Sequence, residues 1–524
     1  MNDPTKPTQA RSISGQRVRD LLVSISLGNL VVLSEWSALF HSYFHAPQPS
    51  RYLAITLCSL IFACVFLGGA WVTRRMGAAG RVIARWAFFQ IIVISILGLV
   101  LRFSPAALAG TLASGSLGTV AVASSLLVLP LLLVVHPAPA RVVATLLVAI
   151  SPCVAFLFMR ATWEMINVST PEMIRGSLRP LQAEGPRTLL IVFDELSEYV
   201  AFTHRPRGIE MPAFDRLRRE ATVAAAAFPP GGITLTSMPS YLTGRVVQEA
   251  RAVSRRDLEV QFLGEKKFQS LTESPTLFSK VHAMGLGTAM IGWYHPYCTI
   301  LRDVDYCAHA LERKYERHDL RNAVLDVFAA LPYLRYTHWS RKRVGQAQQT
   351  AHFNKDSFLR KVTQEALGEF RSGLMIVHLP TPHPPVLRGQ GVYFSNLAEA
   401  DNTLAAIRRV MEKAGTWDGA TVLVTTDHWW RTREVWAKSI DVWNTEEKAY
   451  IDADKDKRAT FIVKLPGQTR PDVYTPEFNT LILTELVPQS LAAKINTSEE
   501  LKAWLDVHRT DVPVHVYSVT QKDK

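Results

Sequence analysis

The 524-residue sequence predicts an α/β domain with a mainly parallel central sheet, preceded by a five-span helical membrane region. Three observations lead there. Long apolar stretches crowd the first third of the chain. From Arg187 onward, short β-rich runs alternate with helical stretches, the pattern of strand–helix–strand units. Three of those runs end directly in Asp, Glu or His, and sites in open α/β sheets form at the carboxyl ends of strands.

Each membrane span needs enough apolar residues to cross about 30 Å of hydrocarbon. Leu21–Phe40, Tyr52–Thr73, Trp86–Leu101, Leu117–Val135 and Val142–Met159 meet that length. The first contains Glu35 and lacks a small-residue cleavage site, so it reads as a retained span and not as a signal peptide. Positive charge sets the orientation. Lys6, Arg11, Arg17 and Arg19 precede the first span, Arg74, Arg75, Arg81 and Arg85 follow the second, and Arg141 follows the fourth. The alternate loops carry only Arg51 and Arg102. The N-terminus is then cytoplasmic, and five crossings put everything after Met159 outside. The net charge of +12 belongs to this membrane pattern, and nothing in the chain resembles a nucleic-acid-binding module.

The predicted organisation is a cytoplasmic tail over 1–20, the spans over 21–160, a juxtamembrane connector over 161–186 and the outside domain over 187–524. Predicted strands are Thr188–Phe193, Thr288–Gly292, Gly373–His378, Thr421–Thr425 and Thr460–Lys464. Predicted helices include Pro212–Glu220, Thr276–Met284, Ser395–Ala414 and Thr475–Leu486. Cys298 and Cys307, nine positions apart in the outside part, form a candidate disulfide in an oxidising compartment; two free buried thiols are the alternative. The basic stretch Arg313–Arg343 holds Phe328, Tyr333, Tyr336 and Trp339, and reads either as a dock for anionic head groups or as a solvated helical insertion.

Five segments carry candidate chemistry. TLLIVFDELS delivers Asp194 and Glu195 at a strand tip, where carboxylates suit a divalent cation or cap a helix. PPGGITLTSMPSYLTGR puts a tight turn before a run of hydroxyls that begins at Thr234. A hydroxyl at a helix start is favoured as a nucleophile, because the backbone N–H groups stabilise its oxyanion; a capping role is the plainer reading. VLVTTDHWWR ends a strand in Asp427 and His428, two side-by-side ligand types. MIVHLPTPHPPV offers His378 and His383, and IGWYHPYC offers His295, as contacts for an anionic substrate.

Together these segments resemble the alkaline phosphatase/sulfatase superfamily across Thr188–Leu486. MPAFDRLRRE is similar to the stretch after the first metal ligand of sulfatases. TLFSKVHAMGLGTAMIGWYH is similar to their segment ending Gly-Lys-Trp-His, with Trp293 in place of the lysine and His295 in place of the histidine. AEADNTLAAIRRVMEKAG and ATVLVTTDH resemble the helix and strand leading into their Ser-Asp-His-Gly, with Trp429 in place of the glycine, and ATFIVKLPG a later core strand. The family nucleophile lies ten residues before the glycine of Leu-Thr-Gly, and counting back from Gly244 lands on Thr234.

The resemblance implies an alkaline-phosphatase-like catalytic domain. It implies metal ligands Asp194, Thr234, Asp427 and His428, with Glu195 as the alternative to Asp194. It further implies Thr234 as nucleophile, His383 as catalytic assistant, and His295, His378 and His383 as substrate contacts. One divalent ion, Zn2+ or Mn2+, is implied, since VYTPEFNT lacks the histidine of two-metal members. Threonine cannot become the formylglycine of sulfatases, and T-x-x-S-x-P-S over Thr234–Ser240 looks closest to membrane phosphoethanolamine transferases. Five spans before an outside catalytic domain also resembles lipoteichoic-acid synthases. The function so implied is a transferase that moves a phosphoethanolamine- or phosphoglycerol-type head group from a membrane phospholipid to an envelope glycan or lipid. Its place would be the bacterial inner membrane, with the domain on the periplasmic side. A phosphoester or sulfoester hydrolase, and a non-catalytic membrane protein that keeps the fold, are the other readings.

Overall fold

The structure is a computed structural model that describes residues 8–40, 49–103, 137–166, 172–254, 256–311, 319–331, 334, 338–384, 392–432 and 443–516. Three helices among the described residues are long and apolar enough to cross a membrane, which suggests membrane association: Pro49–Arg75, Ala78–Ile96 and Ala138–Ile166. Five spans are therefore not established. The expected span Leu117–Val135 lies outside the described residues. The expected first span is helical, but in two pieces, Thr8–Val31 and Leu33–Phe40. Its polar groups face protein: Asn29 accepts from Trp36 Nε1 at 3.0 Å, and Glu35 pairs with Arg51 at 2.5 Å in a buried ion pair. Glu35 is thus held by a neighbouring helix and does not reach toward lipid head groups.

Charged side chains mark the two ends of this helical bundle. At one end Arg19 donates to Thr145 Oγ1 and to the Arg141 carbonyl, and Arg74 pairs with Asp20. At the other, beside the Glu35–Arg51 pair, Tyr52 donates to Glu164 at 2.9 Å. On that side the helix Leu320–Ala330 lays its apolar face on Pro49–Arg75: Ala323 and Val327 are buried with Ile55 and Cys58, and the rings of Phe328 and Phe62 are 5.5 Å apart. Phe328 is therefore packed against the protein, whereas Trp339 of the same basic stretch is exposed.

The remainder of the chain is built on a nine-stranded sheet among the described residues. Its strands in chain order are β1 (Glu172–Gly176), β2 (Arg187–Asp194), β3 (Thr222–Ala224), β4 (Thr288–Trp293), β5 (Tyr306–Ala310), β6 (Gly373–Pro382), β7 (Thr421–Thr426), β8 (Phe461–Lys464) and β9 (Asp472–Tyr474). Their spatial order is β1-β5-β4-β6-β2-β7-β8-β3-β9. The run β5-β4-β6-β2-β7 and the β3–β9 pair are parallel, whereas β1–β5, β7–β8 and β8–β3 pair antiparallel, so the sheet is mixed around a parallel centre. Strand β1 draws part of the expected connector into the sheet.

Central position explains the composition of β2. A parallel strand covered on both faces reads as a continuous apolar run, and RTLLIVFD is buried from Thr188 to Asp194. Alternation sends Leu189, Ile191 and Phe193 into one core cluster and Leu190 and Val192 into the other. The expected helix Thr475–Leu486 is displaced: Phe478–Asn479 is extended, Thr480–Ile482 is a 3-10 turn, and the helix runs Leu483–Leu491. The Asn479 side chain caps the turn by accepting from Leu481 N–H, which delays the helix start.

Candidate active site

Strands β2 and β7 lie side by side in parallel register, Thr425 against Val192 and Thr426 against Phe193, so their carboxyl ends deliver Asp194 and Asp427 to one place. Beyond β2 the chain turns sharply through Glu195, which has a φ of 60°, a costly conformation for a non-glycine residue. Three contacts hold it there: Glu195 N–H donates to Asp427 Oδ1 at 3.2 Å, Tyr393 donates to the Glu195 carbonyl at 2.6 Å, and Arg431 binds its carboxylate at 2.6 Å. Glu195 is therefore spent on Arg431, and Asp194 is the carboxylate that faces Thr234.

Thr234 is the first residue of the helix Thr234–Thr243, preceded by an extended Ile233 and closed by Gly244 in the left-handed region with φ of 71°. Gly231 and Gly232 are required by close approach. A Cβ on Gly232 would sit 2.7 Å from Cη2 of Trp429, whose ring covers the turn. Trp429 thus forms a wall over the loop that leads into Thr234.

Three ligand-type side chains converge on the Thr234 hydroxyl. Thr234 Oγ1 lies 2.7 Å from Asp427 Oδ2, 3.4 Å from Asp194 Oδ2 and 3.2 Å from His428 Nε2. His428 Nε2 is in turn 3.6 Å from Asp194 Oδ1 and 3.3 Å from Asp427 Oδ2. Its Nδ1 faces the Trp429 carbonyl at 2.9 Å, which fixes the ring and leaves Nε2 for the centre. All four expected ligands are brought together, from elements far apart in the chain.

The residues fit a divalent cation on two counts. Asp194 Oδ1 is buried without a hydrogen bond, an orphan that a positive charge would satisfy. The donor set of carboxylate, imidazole and hydroxyl suits zinc or manganese. The electrostatics agree. Burial, then the Asp427 and Glu195 charges, push Asp194 far above the usual carboxylate range, and burial raises Asp427 to about 7. Burial, then Arg431, holds His428 neutral, the form in which imidazole binds metal.

The other histidines divide. Asp194, His378 and Asp427 each bring one ligand atom within 4.8 Å of the others, so His378 stands nearer the centre than a substrate contact alone would require. Its Nδ1 is 2.9 Å from the Tyr297 hydroxyl, and its Nε2 has no hydrogen-bond partner. Burial keeps it neutral, with the neighbouring His295 adding to the shift. His295 Nε2 lies 3.2 Å from the Thr234 carbonyl, and burial lowers this ring to about 4. A neutral ring facing a carbonyl must donate, so His295 holds the Thr234 backbone. His383 follows β6, half-buried, with its ring 5.7 Å from that of Trp293. Cys298 and Cys307 are joined in a disulfide, and Cys298 N–H donates to His309 Nδ1 at 3.2 Å.

Three contributors escape a reading of the sequence. Arg431 lies only three residues after His428 and could be suspected from VLVTTDHWWR. Tyr393, which also receives Ser197 N–H at 3.0 Å, and Lys355 on the helix His338–Glu369 sit in segments with no local signal of a site.

No protein-family profile and no curated protein matches the sequence. The chain is similar to solved structures of phosphonate monoester hydrolases and sulfatases at low identity. One is the phosphonate monoester hydrolase of Silicibacter pomeroyi, at 13% identity and TM-score 0.39, with 64% of this chain and 78% of that chain covered. Another is the phosphonate monoester hydrolase of Agrobacterium radiobacter, at 12% identity and TM-score 0.37, covering 59% and 74%. A third is a sulfatase from Pseudoalteromonas sp., at 14% identity and TM-score 0.38, covering 62% and 71%.

Proposed function

We propose that this chain is a membrane-anchored, metal-dependent transferase that carries a phosphate-linked group on Thr234. The observation that supports it is the Thr234 hydroxyl at a helix start, 2.7 Å from Asp427 and within reach of Asp194 and His428. A divalent cation held by Asp194, Asp427, His428 and Thr234, with His378 adjacent, would supply charge neutralisation and acidify the hydroxyl.

The chain's own residues do the rest. Asp427 Oδ2 accepts the hydrogen bond of Thr234 Oγ1 and orients an oxygen lone pair toward phosphorus. The N-terminal N–H groups of Thr234–Thr243 stabilise the developing oxyanion. His295 fixes the Thr234 backbone, and Arg431 holds the carboxylate of Glu195. As the Thr234 Oγ–phosphorus bond forms, the Thr234 proton passes to Asp427 Oδ2, the bond from phosphorus to the leaving alcohol oxygen breaks, and His383 gives that oxygen its proton. An acceptor hydroxyl then loses its proton to His383 and displaces Thr234, which takes its own proton back from Asp427.

In this reading the donor is a membrane phospholipid and the leaving group diacylglycerol. The transferred group is of the phosphoethanolamine or phosphoglycerol type, and the acceptor is an envelope glycan or lipid. The apolar helices keep donor and leaving lipid in the same bilayer, in the bacterial inner membrane with the domain on the periplasmic side.

Intact-protein mass spectrometry after incubation with bacterial phospholipids tests this. An adduct on Thr234, absent from Thr234→Ala, is expected, and its mass identifies the group. Release of free head group in the absence of any acceptor would make the enzyme a hydrolase. A wild-type protein that takes up neither metal nor adduct would leave a non-catalytic membrane protein.

A further inference from the structure

One side of the site holds buried nitrogens that no described residue satisfies. Lys355 reaches in from the helix His338–Glu369 and is 3% exposed, with its Nζ 3.8 Å from the centroid of the Trp293 ring. Among the described residues that Nζ makes no hydrogen bond, and neither does the Trp293 Nε1 beneath it or the Nε2 of His378, whose ring centroid is 6.1 Å from that of Trp293. These nitrogens come from a helix, from the end of β4 and from β6, and the residues are all buried.

An ammonium carries three donors and an indole one, and neither can accept. Burying a charge without a partner is costly, and stacking on an aromatic ring offsets that cost only in part. Such groups persist in a core when a ligand completes them. Trp293 links Lys355 to the centre, because His378 beside it brings a ligand atom within 4.8 Å of those of Asp194 and Asp427. The centre is thus polarised: carboxylates gather on the Asp194–Asp427 side, while unpaired donors gather on the Trp293 side.

We propose that Lys355, Trp293 Nε1 and His378 Nε2 form an oxyanion subsite that takes the non-bridging oxygens of a phosphate ester, with Lys355 supplying its charge. The reaction it would serve rests on the Thr234 reading above, but the subsite binds free phosphate whether or not that reaction occurs.

The test is calorimetric titration of inorganic phosphate into full-length protein in detergent, as wild type, Lys355→Met and Lys355→Arg, with metal content and unliganded melting temperature measured on each. Losing a charge-assisted contact to a bound anion weakens binding by about tenfold to a hundredfold. We expect that loss in Lys355→Met, partial recovery in Lys355→Arg, and metal content equal to wild type. The melting temperature of Lys355→Met without phosphate is expected to be unchanged or raised, since an unpaired buried charge has gone. Wild-type protein that does not bind phosphate overturns the subsite, as does Lys355→Met binding within about twofold of wild type. A fall in melting temperature with phosphate affinity retained would make Lys355 a packing residue only. If Lys355→Met does not fold, Lys355→Gln is read by the same criteria. Protein that binds no metal counts against the proposed function, while the phosphate comparison still decides the subsite.

Discussion

Replacing Asp194 with asparagine removes one of three buried carboxylates, Asp194, Glu195 and Asp427, that share the Arg431 guanidinium. Asp194 and Asp427 bring carboxylate oxygens within 4.8 Å of each other. Two unit charges at that separation repel by about 3.5 kcal/mol at an effective dielectric constant of about 20. The metal-free protein could instead keep a proton on Asp194. At about pH 8 that costs about 5.5 kcal/mol, roughly four pH units at about 1.4 kcal/mol each, so the penalty removed lies between the repulsion, to which burial adds, and that ceiling. The new amide gives some of this back, because its N–H groups must be seated in a buried site shaped for a carboxylate, leaving a net gain of about 1–3 kcal/mol. Differential scanning calorimetry of full-length protein in detergent reads both halves of the effect. With chelator present, Asp194→Asn melts above wild type. Added zinc or manganese raises the wild-type transition by mass action but leaves the variant unmoved. A variant that melts below wild type in chelator, or gains as much from metal, would refute the reasoning.

Thr234→Ala is expected to lower turnover by at least about a thousandfold and to abolish the protein adduct, while Thr234→Ser retains both, since only the hydroxyl is needed. Gly232→Ala drives a methyl to 2.7 Å from the Trp429 ring and should cost about 1–3 kcal/mol in thermal unfolding; combining it with Trp429→Ala should recover most of that loss. Burial raises Glu198 from the ordinary 4.5 to about 7, against the opposing Arg218 charge and the Thr460 hydrogen bond. Because the folded value is the higher one, its stabilising contribution is complete below 4.5 and is lost as pH rises through 7, by about 3 kcal/mol in all. Glu198→Gln should flatten the stability–pH curve across that window in urea titrations at a series of pH values.

The parallel strands could be read in the sequence because β2, β4, β6 and β7 are each covered on both faces, which forces uninterrupted apolar runs such as TLLIVF and TVLVTT. The ligands at their tips were legible for the same reason: Asp194 and Asp427 break an apolar run with a charge. The flanking strands were not. Strand β1 is EMIRG, an edge strand with a mixed burial pattern, and β3 has only three residues, so neither leaves a periodicity to detect. The Thr234 carbonyl contact of His295 is not legible in the sequence, because a histidine after a strand looks the same whatever it faces. Lys355 was invisible for a stronger reason. It lies in a polar helix, and what distinguishes it is tertiary: a Trp293 ring from a strand and the lack of an acceptor among the described residues.

The account depends on one cation shared by Asp194, Thr234, Asp427 and His428. Anomalous diffraction at the zinc edge, on crystals of the full-length protein grown with zinc, tests this most directly. The predicted result is one peak about 2.0–2.3 Å from the Thr234 hydroxyl, His428 Nε2 and an oxygen of each aspartate. A peak that leaves out Thr234, or none at these residues in protein that has taken up zinc, would contradict it.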